Sequence, residues 1–131
     1  MATELEIWEE NLRNIFHELD LILEDRYGSL FPVNPVRAQH GTTDNPEYSG
    51  LFDVGASFSA GFGSQYGEGY VVQIRWATLK KVPDVARKEA EAIVEFHLNK
   101  RLPEVFPGKK LSVVRDGTLM KIVGDLSLRT R

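Results

Sequence analysis

The chain has 131 residues, the commonest size for a single domain, and 42% of them are hydrophobic, enough to bury a core without staples. It has no cysteine, which excludes a disulfide framework and any thiolate metal site. A formal net charge of −3 disfavours non-specific attachment to nucleic acid or to an anionic membrane.

The first element in chain order is a helix. Thr3 followed three residues later by Glu6 is a capping box, in which each side chain satisfies the other's exposed backbone N–H. Leu5, Trp8, Leu12, Ile15, Leu19 and Ile22 recur at three- and four-residue steps, widened by Phe16 and Leu23. Tyr27-Gly28 ends the stripe, Gly28 being expected in the left-handed conformation that helix termini favour. The opposite face, Glu6, Glu10, Arg13, His17, Asp20 and Glu24, is expected to be solvated. His17, Asp20 and Glu24 stack on that face at metal-ligand spacing, but a plain acidic surface accounts for them and no metal is assigned.

Residues 29–50 break the periodicity with Pro32, Pro35 and Pro46 and a run of turn formers, making a long polar loop. Its stretch from 37 to 48 carries the candidate binding residues Arg37, His40, Thr42, Thr43, Asp44, Glu47 and Tyr48. They offer an anion-binding cation, an imidazole beside carboxylates, two hydroxyls and a phenol, the kind of set that loops between rigid elements present. No catalytic residue is assigned, because no spacing there selects a reaction class.

Two alternating segments follow. Phe52, Val54, Ala56, Phe58, Ala60 and Phe62 interleave with Asp53, Gly55, Ser57, Ser59 and Gly61, which reads as a strand with one apolar face. Tyr70, Val72, Ile74 and Trp76 interleave with Val71, Gln73, Arg75 and Ala77, and the two segments are expected to pair as a hairpin. The glycine-rich connection, residues 63–69, fits no phosphate loop: Tyr66 stands where a kinase-type pattern needs glycine, and the loop opens a strand rather than a helix. Tyr66 is kept as a candidate contact to a partner. The polar column Gly55, Ser57, Ser59, with Gln73 and Arg75 beside it, is bare enough to admit another backbone or sheet and is the candidate interface.

A second helix is expected after Pro83-Asp84, with Val85, Ala86, Ala90, Ile93, Val94 and Phe96 buried, His97 half-buried, and Leu102-Pro103 marking its end. Leu111–Arg115 and Thr118–Leu128 flank Asp116-Gly117, a strong hairpin signal. The order α-β-β-α-β-β implies one α+β domain spanning 1–131, a four-stranded mainly antiparallel sheet with two helices on one face. This helix-led order resembles, in architecture, small subunits of larger assemblies such as phage tail-completion proteins.

Charge is uneven. Residues 1–99 hold 8 basic and 16 acidic side chains, while residues 100–131 hold 8 basic and 3 acidic. Lys109, Lys110, Arg115, Lys121, Arg129 and Arg131 are read as decoration of solvated strand faces and a tail. An acidic start without an apolar stretch, and no apolar run near 18 residues, lead to a cytoplasmic expectation. The function expected is a small non-enzymatic interaction or assembly domain that self-associates as a homodimer or higher oligomer, or binds another protein. No cofactor, membrane or nucleic-acid partner is expected. One alternative is a small-molecule-binding protein or enzyme with its site at 37–48. The other is a weak nucleic-acid binder using the basic C-terminal third.

Overall fold

The computed structural model describes residues 3–32, 51–61 and 66–125. Six elements follow the expected order: α1 (Glu4–Tyr27), β1 (Phe52–Ser59), β2 (Gly69–Trp76), α2 (Asp84–Val105), β3 (Ser112–Asp116) and β4 (Leu119–Val123). The strands form one antiparallel sheet in the order β1-β2-β4-β3. β1 and β2 pair along their whole length, from Phe52 opposite Trp76 to Ser59 opposite Gly69, whereas β4 meets β2 only between Tyr70 and Val72.

Strand alternation sends Phe52, Val54, Val72, Val113, Met120 and Ile122 to one side, where they pack with α1 and α2 in a single core. α1 contributes Trp8, Leu12, Ile15, Phe16, Leu19, Leu23 and Tyr27, and α2 contributes Ala90, Val94, Leu98 and Leu102. Trp8 stacks at a tilt on Phe106 and Tyr70 at one end of the core, while Tyr27, Phe52 and Trp76 cluster at the other. The capping box at Thr3 and Glu6 is present with both of its hydrogen bonds.

Several expectations about the helices are corrected. Gly28 keeps right-handed angles (φ −59°, ψ −28°) and donates its N–H to the Glu24 carbonyl. Its glycine is required for space, since an added Cβ would run into that same oxygen. Leu5 and Ile22 are partly exposed: Leu5 lies in the first turn, ahead of the core, and Ile22 falls at the margin of the stripe. In α2, Val85 and Phe96 point outward, at 78% and 74% exposure. At roughly 100° per residue they sit on the far side from the Ala90-Val94-Leu98-Leu102 row. α2 also runs through Pro103 to Val105 instead of stopping before it. Pro103 is exposed in the last turns, and burial of Leu98, Leu102 and Phe106 at four-residue steps holds that end down against Trp8. β1 and β4 are shorter than expected: Ala60 falls past the end of β1 and Gly124 past the end of β4, and residues 62 and 126–128 of the expected segments lie outside the described residues.

Helix side chains meet part of the edge of each outer strand. Asp20, 3% exposed instead of solvated, accepts the Val54 N–H at 2.9 Å, and Glu24 accepts the Leu51 N–H at 3.0 Å, so α1 covers the first half of the β1 edge. On the other edge, Asn99 of α2 accepts the Val113 N–H of β3 at 2.9 Å. Between the helices runs a seam of charge. Glu18 bridges His97 (2.8 Å) and Arg101 (3.0 Å), and Glu89 bridges Arg26 and the Tyr27 hydroxyl. The Arg101 hydrogen bonds, then that of His97, hold the Glu18 carboxyl below its ordinary value of 4.5. Burial, then the acceptor Glu89, raise the Tyr27 phenol.

Removing the edge acceptor leaves the Val54 N–H unsatisfied and the space of the Asp20 carboxylate unfilled. Asp20→Ala is therefore expected to cost about 2–3 kcal/mol in urea-induced unfolding, and Asp20→Asn distinctly less because the amide oxygen still accepts. The seam gives a pH dependence of fixed sign. Because the Glu18 carboxyl titrates lower in the folded chain, its contribution is whole above 4.5 and is lost as pH falls toward the folded value. Melting temperatures followed downward from pH 6 should fall less for Glu18→Gln than for the parent chain.

Candidate functional site

Because both helices occupy one side, the opposite face of the sheet is built from the alternate residues. On β1 these are Asp53, Gly55, Ser57 and Ser59, and across the pair on β2 stand Arg75, Gln73, Val71 and Gly69, in that order. The candidate interface residues Gly55, Ser57, Ser59, Gln73 and Arg75 thus come together on one surface, with Ser57, Gln73 and Arg75 exposed. Asp53 and Val71 belong to the same surface; their place in the strand alternation is legible in the sequence, but the expected interface of Gly55, Ser57, Ser59, Gln73 and Arg75 does not include them.

The surface is not uniform. Over β4, Lys121 is 1% exposed: its ammonium donates to the Gly67 carbonyl at 2.8 Å and pairs with Asp116 at 3.0 Å. That corrects the expectation that Lys121 is a solvated basic residue. The reason is geometric: its stem lies across Gly69, where an added Cβ would press on Lys121 Cγ at 2.8 Å. Nothing in the sequence spacing announces this contact, because it joins the two hairpins. The face is therefore covered at Lys121 from the hairpin loop, Leu119 at the start of β4 stays exposed, and the β1–β2 half is the larger open part.

Gly55 behaves unlike Gly69. A Cβ added there meets nothing within 4 Å, and its backbone is ordinary strand. Beside it, Asp53 and Arg75 stand opposite each other on one rung, and neither forms an ion pair with a described residue.

Tyr66 is exposed near the hairpin tip. Arg37, His40, Thr42, Thr43, Asp44, Glu47 and Tyr48 lie outside the described residues. His17, Asp20 and Glu24 do not form a metal site: Asp20 and Glu24 are committed to strand N–H groups, and among the described residues no cluster of metal-ligating side chains occurs. Among the described residues, clefts open on either side of β2. A cleft of about 270 Å³ lies between the first half of α1 and β1, lined by Trp8, Leu12, Arg13, Phe16 and Tyr70 and by the β1 edge from Asp53 through Gly55 to Ala56. A smaller one, about 140 Å³, opens where β2 outruns β4, beside Arg87, Glu91 and Arg115. The Glu18–His97 pair has the residue types of an acid–base dyad, and His97 is half-buried and hydrogen-bonded as expected. It lines neither cleft, and Glu18 is shared with Arg101. The basic C-terminal third is partly neutralised: Arg101 is held by Glu18 and Glu104, and Arg115 by Glu91 and Glu95.

Among the described residues, no helix is long and apolar enough to cross a membrane. No solved structure matches the chain. A protein of Borreliella burgdorferi described as uncharacterised is 34% identical over 122 residues, covering 89% of this chain and 91% of that protein. A family model, also described as "Uncharacterised protein", matches residues 3–124, from the α1 cap to the end of β4, and the chain belongs to that family.

Proposed function

We propose that the chain is a small non-enzymatic assembly module that associates with copies of itself through the open β1–β2 half of its sheet. The observation that carries this reading is Gly55. Glycine in a strand interior is unfavourable, lacking a side chain to pack and losing more backbone freedom than any other residue. The fold's own packing does not ask for it, since the space above is empty. A bare position kept at a cost, flanked by Ser57, suits a surface that another sheet approaches closely. The carboxylates engaging Arg101, Arg115 and Lys121 weigh against nucleic-acid binding through the C-terminal third.

Gly55→Thr separates this proposal from a purely structural role. A β-branched residue at an open strand position is expected to raise stability by roughly 0.5–1 kcal/mol while filling the hollow a partner needs. Sedimentation velocity over a concentration series should show a reversible oligomer for the parent chain and a shift toward monomer for the variant, with the variant melting higher at dilutions where both are monomeric. A parent chain that stays monomeric at every concentration would sink the proposal.

A further inference from the structure

Resting on that self-association, we infer that the assembly is a two-fold, face-to-face dimer in which Asp53 of each subunit pairs with Arg75 of the other. The open face is complementary to itself. Its β1 column is small or short (Asp53, Gly55, Ser57, Ser59), while β2 carries the larger side chains Val71, Gln73 and Arg75. Corresponding members lie on the same rungs: Asp53 with Arg75, Gly55 with Gln73, Ser57 with Val71.

Consider a two-fold axis in the plane of contact, parallel to the strands and between β1 and β2. It lays β1 of one subunit over the partner's β2, and every rung becomes an intersubunit pair. Gln73 then enters the space over the partner's Gly55, Val71 meets the partner's Ser57, and Arg75 meets the partner's Asp53. Large residues face small ones, and opposite charges face each other twice. No other axis direction in that plane reproduces all three pairings, because only this one preserves position along the strands while exchanging β1 with β2.

Charge supplies the independent support. Asp53 and Arg75 are opposite on one rung yet form no ion pair with each other or with any described residue, so both remain available to a partner. The open half is also balanced, with one acid and one base, so it does not repel its own copy. The edges point the same way. Asp20 and Glu24 occupy the first half of the β1 edge and Asn99 reaches the β3 edge, so strand addition is hindered at those positions while the face beside them is open.

The test is a charge exchange read by sedimentation equilibrium. Asp53→Lys and Arg75→Glu are each expected to weaken the dimer by at least about tenfold, since each creates two like-charge contacts. An equimolar mixture of the two variants should recover the parent affinity, because the lysine introduced in one chain meets the glutamate introduced in the other. Circular dichroism of each variant shows whether it is folded, and the recovery on mixing itself excludes misfolding. If the parent chain dimerises, Gly55→Thr weakens that dimer and the charge variants leave it unchanged, the Asp53–Arg75 pairing is wrong while the assembly reading stands. Single variants that weaken without recovery on mixing overturn it as well. A parent chain that never dimerises overturns both.

Discussion

The hydrogen bond from the Val54 N–H to the buried Asp20 carboxylate is the contact on which the arrangement of layers depends. A four-stranded sheet has two outer strands whose outward N–H and C=O groups must go somewhere. Here α1 and α2 do more than cover the apolar face. Asp20 and Glu24 bring α1 to the margin of β1, and Asn99 brings α2 to the margin of β3. Each helix is thereby located in two directions: its apolar stripe fixes how deep it sits, and its polar margin fixes how far across the sheet it lies. The Glu18–His97–Arg101 and Arg26–Glu89–Tyr27 groups then close the seam between them.

This accounts for the acidic residues near the C-terminus of α1, which stand against the helix dipole. Asp20 lies next to the stripe formed by Phe16, Leu23 and Tyr27, one step beyond its apolar border. A carboxylate there costs a few tenths of a kcal/mol in the helix but gains charge-assisted hydrogen bonds to strand N–H groups worth about 1.5–3 kcal/mol each. The balance favours the acid, and metal binding is not needed to explain it.

What could be read from the sequence follows the range of the interactions. The capping box at Thr3 and Glu6, the alternation of Phe52 through Phe58, and the Asp116-Gly117 turn are local patterns, and each became the element expected. The open face and its five candidate residues followed from that same alternation. The partners of Asp20, Asn99 and Lys121 did not, because each reaches a backbone group brought near only by the topology: Val54, Val113 and Gly67. Val85 and Phe96 were misplaced for a different reason. A loosely periodic helix admits more than one apolar stripe, and the row that won was the one continued by Leu98 and Leu102.

The partly closed edges and the open face have to be considered together. An exposed, flat edge invites unlimited strand addition, whereas a face with one bare column and one bulky column limits its own stoichiometry. Burial of Lys121 against the Gly67 carbonyl narrows the open part to β1, β2 and the Leu119 end of β4. On the proposed pairing, the two-fold axis consumes both columns at once: the hollow over Gly55 is filled by the partner's Gln73, and the Arg75 charge is met by the partner's Asp53. Both columns of β1 and β2 are used, so the pairing closes on itself there, with the exposed Leu119 of β4 lying beside it. Growth beyond a dimer would then have to use another surface, and the outward Phe96 and Val85 of α2 lie on the opposite side of the molecule from this contact.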